Sequence, residues 1–228
     1  MARADLPTRN EYANAIPFGA SSMSYFQSRR SAVIARKGAV ATSQPLAAQA
    51  GLQMLKDGGN AVDAAVATAA VLNVVEPMST GIGGDMFALI WDKNERKVVA
   101  LNGSGRQAAA ANVDDVRKAG YDSIPNNGPG SHFAVSVPGT VDGWETALNR
   151  YGRMTLREAL QPAIDYALNG YAVSEVIANG WQSAESAEKL GHRPSGAQML
   201  PGGKAPQYGD VVRLPELGRT LQMIAGGG

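Results

Sequence analysis

The sequence predicts an α+β fold, and three observations carry that reading. A continuous apolar run, Met86–Trp91, is followed by the charged turn Asp92–Arg96 and the returning segment Lys97–Asn102, the pattern of a β-hairpin. Helix-start signatures recur at Ser43-Gln44-Pro45, at Asn60, and at Thr155 with Glu158. The 37 Ala and 27 Gly among 228 residues make more than a quarter of the chain small, which suits tightly packed helices and close backbone turns.

The elements follow in order. Residues 1–30 are polar, include Pro7 and Pro17 and lack periodicity, so they are expected to form an arm that orders only against the rest. The apolar residues Ala32–Ala35 and Ala39–Ala41 flank Lys37-Gly38 and predict two short strands joined by a tight turn, which opens the main domain over 31–228. Pro45 stands near the first helical position, where its missing N–H costs nothing. Leu46, Leu52, Met54 and Leu55 give that helix an apolar face, and Gly58-Gly59 ends it. Asn60 caps a second helix from Ala61 to about Val74. It is apolar nearly all round, so it is expected between layers, and Pro77 stops it. The run Met86–Trp91 suits a core strand.

Further along, Asn112 or Asp114 caps a short helix to Ala119, and residues 121–131 read as a loop. Phe133–Val137 alternates as a strand would, and Pro138-Gly139 turns it into a helix running to Tyr151. The Thr155/Glu158 capping box opens a helix that runs to Gly170. Helical pieces follow Val173, residues 191–210 read as an exposed loop, and a last helix begins near Pro215-Glu216.

Composition excludes several function classes. Lys+Arg of 21 against Asp+Glu of 20 gives a net charge of +1, which argues against a nucleic-acid partner. The chain has no cysteine, hence no disulfide, thiolate nucleophile or Cys-based zinc site. His132 and His192 stand too far apart in sequence for a His-rich metal motif, and neither metal nor cofactor is expected. The most apolar stretch, Ala61–Val75, carries Asp63 and Asn73 and falls short of the roughly 18 residues a membrane span needs. The first thirty residues hold no apolar signal region, so a cytoplasmic location is expected and no membrane partner.

Three motifs invite a chemical reading and lose it on context. Gly81-Ile82-Gly83-Gly84 follows a helix and precedes a strand, the reverse of a phosphate-binding loop, so close backbone packing is its reading. Ser131-His132 lacks the nucleophile-elbow pattern, and Asp114-Asp115 suit a helix dipole. Arg106 is more informative: it ends the small-residue turn Asn102–Gly105 directly after a strand. A guanidinium with so little steric clutter can offer a bidentate fork to a carboxylate, or simply be a solvated arginine.

Taken in order, several segments resemble the γ-glutamyltransferase (glutathione hydrolase) family. They are Ala41 through Asp63, Glu76-Pro77 with Thr80–Gly84, the Asn102–Arg106 turn, Val137–Gly139 with Gly143-Trp144, and Leu156–Ser174. Gly209-Asp210, Pro215–Leu217 and Thr220-Leu221 continue the match, which covers about residues 31–228. The resemblance implies an N-terminal-nucleophile hydrolase fold, an αββα sandwich of which this chain is the incomplete, large-subunit part. It implies a precursor that cleaves itself, the new N-terminal threonine of the small subunit becoming the nucleophile. No such processing threonine is found here: Thr220 falls in a predicted helix and the other threonines come too early.

Matched residue by residue, Arg106 takes the place of the arginine that binds the α-carboxylate of the γ-glutamyl group, and no catalytic residue is assigned within the chain. The expected partners are a γ-glutamyl donor such as glutathione and the missing small subunit. Two other readings stay open: an amide acylase of the same fold, such as a β-lactam side-chain acylase, and a non-catalytic amino-acid-binding module.

Overall fold

The computed structural model describes residues 33–125, 130–184, 186, 190 and 196–227. The chain divides into two units, Met1–Lys37 and Gly38–Gly228. The arm expected over 1–30 lies outside the described residues. In the first unit, Val33 and Ile34 are 89% and 93% exposed. Neither they nor residues 38–41 form a strand, which corrects the expected N-terminal strand pair. Those short apolar segments find no pairing edge, and without ladder hydrogen bonds β-propensity alone does not make a strand.

In the second unit, helices α1 (Pro45–Lys56) and α2 (Ala61–Val75) pack as a pair. Gln44 caps α1, its side-chain oxygen accepting the N–H groups of Leu46 and Ala47. The helix ends where Gly58 turns with φ +98° and the Gly59 N–H donates to the Met54 carbonyl. Ten of the fifteen residues of α2 are buried, as its all-round apolar sequence requires.

Asn60 and Asp63 form a reciprocal capping box at the start of α2, but Asp63 does more than cap. Its fully buried carboxylate also accepts the Arg153 and Met154 N–H groups, at 2.9 and 3.0 Å, while Asn60 Nδ2 donates to the Tyr151 carbonyl at 2.6 Å. A carbon added to Gly152 would stand 2.7 Å from Asp63 Oδ1. The motif is therefore a staple that holds the start of α2 to the connection between α4 (Thr140–Tyr151) and α5 (Leu156–Asn169).

Helix α5 opens on the Thr155/Glu158 box and packs on both α2 and the last helix, α8 (Pro215–Gly227). Between the two in sequence lie β3 (Tyr171–Ala172), α6 (Glu175–Trp181), the short helix α7 (Gly196–Met199) and β4 (Val211–Val212), which pairs antiparallel with β3. Nothing in the local sequence marks this two-residue pairing. The fully buried Trp181 closes the region, its indole N–H donating to the Met199 carbonyl at 2.9 Å. Burial also raises the Tyr171 phenol far above its ordinary pKa.

The hairpin is β1 (Met86–Asp92) with β2 (Lys97–Gly103), paired antiparallel from Met86 opposite Gly103 to Asp92 opposite Lys97. It packs one face on α4. The other face carries Phe87, Leu89, Trp91 and Val98, all more than half exposed, so β1 is not the doubly buried core strand its apolar run suggested. A two-stranded ladder has only one helix to lie on, and alternation sends every second side chain outward.

A further correction falls on Phe133–Val137: Ser131–Ala134 form a turn of 3-10 helix, and only Ser136 makes an isolated bridge, to Gln107. The Gly130 φ of +93° turns the chain into that helix and breaks the extended run. The short helix α3 (Val113–Lys118) is capped by Asn112.

Candidate functional site

Three of the motifs read from the sequence meet at one place. The Gly84 carbonyl accepts both the Gly139 and the Thr140 N–H, each at 3.1 Å, which ties the Gly81–Gly84 loop to the N-terminus of α4. The Arg106 carbonyl accepts the Val137 N–H at 2.8 Å, which ties the end of the Asn102–Arg106 turn to the same segment. Ser136 completes the junction, its hydroxyl donating weakly to Asp85 Oδ1 at 3.4 Å.

Glycine is obligatory at this crossing. A carbon added to Gly139 would sit 2.1 Å from the Gly103 carbonyl oxygen and 2.7 Å from the Gly105 nitrogen. One added to Gly105, whose φ is +49°, would meet the Val137 oxygen at 1.6 Å. Gly143, one turn into α4, leaves room for Met86 of β1. The glycines thus bring three backbones into contact and hold the turn before Arg106 in a single shape. The Asn102 side chain helps by accepting the Ser104 N–H at 3.0 Å.

Arg106 itself is exposed, and among the described residues its guanidinium has neither an ion-pair nor a hydrogen-bond partner. A rigid turn that presents an unpaired guanidinium can receive a carboxylate without first breaking an internal pair. The Gly81–Gly84 loop also borders an open cavity of about 460 Å³ lined by Pro77–Gly81 and Gly83–Asp85.

The motifs set aside from the sequence stay apart from this junction's chemistry. Asp114 and Asp115 lie in the first turn of α3 and pair with Arg117 and Lys118 at 3.8 and 3.7 Å, the dipole and surface roles expected of them. His132 is exposed and stacks on Phe133, while His192 lies outside the described residues. Among the described residues, no group of His, Asp and Glu is placed to hold a metal ion, and no helix is long and apolar enough to cross a membrane. Sequence reading missed Asp85, Ser136 and the buried polar side chains Asn73 and Thr140. Periodicity marks only their elements, and nothing local says which loops they meet.

Comparison with solved structures gives the class. Helicobacter pylori gamma-glutamyltranspeptidase superposes with a TM-score of 0.78 at 33% identity, over 87% of this chain and 56% of that one. Cephalosporin acylase from Bacillus halodurans does so with a TM-score of 0.74 at 40% identity, over 87% of this chain and 39% of that one. The helical layer and hairpin are thus part of an N-terminal-nucleophile hydrolase fold.

The family follows from the sequence comparison. The family model described as gamma-glutamyltranspeptidase matches residues 47–228, and the chain belongs to that family. Among curated relatives, the glutathione hydrolase-like YwrD proenzyme of Bacillus subtilis (strain 168) is 43% identical over 195 residues, 85% of this chain and 36% of the relative. The chain spans about a third of the length of the curated relatives it matches.

Proposed function

We propose that this chain is the large-subunit portion of a γ-glutamyltransferase/glutathione hydrolase-like enzyme. Such an enzyme transfers or hydrolyses γ-glutamyl groups through an acyl-enzyme on an N-terminal threonine that this chain does not supply. A free α-amine beside that hydroxyl serves as the local base, so the chemistry needs no histidine. The α-carboxylate of the donor docks on Arg106, and backbone amides stabilise the oxyanion. The observation that carries this reading is the guanidinium of Arg106, unpaired among the described residues, on a turn fixed by glycine contacts. The bare apolar face of the hairpin agrees with a partner, the small subunit, covering it. The division into an arm over 1–30 and a partial domain over 31–228, glutathione as donor, and a cytoplasmic location belong to the same proposal.

One observation favours a second reading, an amide acylase of the same fold: the likeness to a cephalosporin acylase at 40% identity. Turnover by the full-length protein separates them. Release of aniline from a γ-glutamyl anilide supports the first reading, and release from a glutaryl anilide alone, which lacks the α-amine, supports the second. Turnover of neither, with calorimetric binding of glutamate, makes the protein a non-catalytic amino-acid-binding module.

A further inference from the structure

Two polar side chains beneath the Gly81–Gly84 loop are buried without the partners they need. Asn73, on the last turn of α2, is 4% exposed; its Nδ2 donates to the Ala69 carbonyl at 2.7 Å, while its Oδ1 is sealed from solvent and accepts nothing from the described residues. Thr140, the first residue of α4, is also 4% exposed, and its Oγ1 is likewise sealed and without a partner among the described residues. Both oxygens face the same loop. A carbon built on Gly81 would lie 4.0 Å from Asn73 Oδ1, and one built on Gly84 would lie 4.0 Å from Thr140 Oγ1.

A buried polar atom left unpaired is costly, and Leu or Val at either position would avoid that cost. The missing donors are close at hand. The N–H groups of Gly81, Ile82 and Gly83 have no acceptor among the described residues; of the loop's own amides, Gly84 alone closes a turn, onto the Gly81 carbonyl at 3.2 Å. The acceptor of Asn73 thus lies near the loop that carries these free donors, and Gly81, Gly83 and Gly84 of that loop also line the cavity of about 460 Å³.

We infer that Asn73 and Thr140 are positioning residues, two seats onto which the Gly81–Gly84 loop locks when the cavity that the loop lines is filled. In the locked form a loop N–H donates to Asn73 Oδ1, and the Thr140 hydroxyl donates to a loop carbonyl. Because the Gly84 carbonyl receives the Gly139 and Thr140 N–H groups, locking sets the position of the α4 N-terminus and, through Val137, of the Arg106 turn. The unsatisfied seats of the open form are the stored cost that a bound donor releases. This inference rests on the proposed function for its ligand, though not for its geometry.

The test uses the full-length protein with Asn73→Leu, which removes the acceptor at similar size, and Thr140→Val, which removes only the hydroxyl. Each variant keeps or raises the melting temperature while kcat for a γ-glutamyl anilide falls about tenfold, the cost of one hydrogen bond lost from the committed state. Thr140→Ser restores kcat. Hydrogen exchange of the amides of residues 80–84 is the second readout and needs no substrate: wild-type amides are protected by transient seating, and Asn73→Leu removes that protection. Unchanged kcat in both variants overturns the inference, and so does identical loop exchange in wild type and Asn73→Leu. If the wild type turns over no γ-glutamyl donor, it is the functional reading that fails, and exchange alone decides this one.

Discussion

Around Gly58–Asp63, glycine lets chains approach and the polar groups spend themselves inside the protein. Asp63 collects three backbone N–H groups, and Asn60 both caps its helix and reaches Tyr151. Around Gly81–Arg106, glycine makes equally close crossings, yet polar groups are held back: the Arg106 guanidinium, three loop amides, and the oxygens of Asn73 and Thr140 all lack partners among the described residues. Both motifs look alike as glycine-rich strings. What separates architecture from a site is whether the polar atoms beside the glycines are satisfied.

The comparison breaks first at Asp63. Asp63→Ala strands buried N–H groups of Asn60, Arg153 and Met154 and should lower unfolding free energy by about 3–5 kcal/mol, read by urea denaturation of the full-length protein. A loss below about 1 kcal/mol would mean that water replaces the carboxylate and the staple reading is wrong.

A smaller effect is expected at the other crossing. Gly139→Ala forces a methyl against the Gly103 carbonyl, where no side chain can yield, and should cost about 1–3 kcal/mol while displacing the Arg106 turn. Stability should fall and the KM for donor should rise together. A rise in neither would show that the backbone relaxes freely there.

The smallest effect lies one residue beyond the Asp63 staple, at the start of α5. Thr155→Ala removes the cap of α5 and should cost about 1 kcal/mol at neutral pH. The Thr155 N–H and hydroxyl hold the Glu158 carboxyl below its ordinary range. With the folded pKa lowered, the stabilisation is complete above the ordinary glutamate pKa and is lost as pH falls through the folded value. The gap between wild type and Thr155→Ala in urea midpoints should therefore narrow in acid, and a constant gap would remove Glu158 from the account.

How much of this was legible in the sequence varies by the range of the interaction. The caps at Asn60, Asn112 and Thr155, the stops at Gly58 and Gly170, and the register of the hairpin rest on contacts within a few residues. The reach of Asp63 across to Arg153, some ninety residues on, leaves no local trace. Neither does the meeting of Gly84 with Gly139. Phe133–Val137 misled because alternation signals a strand only if an edge is available, and here the edge offers a single bridge. The Met86–Trp91 run misled in another way: its apolar outer face is real, but nothing within the described residues covers it. Arg106 was singled out by its small neighbours, and the reason for them, the close passage of Val137–Gly139, became visible only in three dimensions.

The most direct test of the contrast between the two motifs is Arg106→Ala in the full-length enzyme, with the melting temperature and donor kcat/KM measured on the same preparation. Among the described residues the guanidinium has no internal partner to lose, so the melting temperature should hold. Loss of the donor carboxylate's partner should lower kcat/KM for a γ-glutamyl anilide by the equivalent of roughly 2–5 kcal/mol. A melting temperature that drops while kcat and KM stay unchanged would contradict the account, because Arg106 would then be part of the architecture and not of the site.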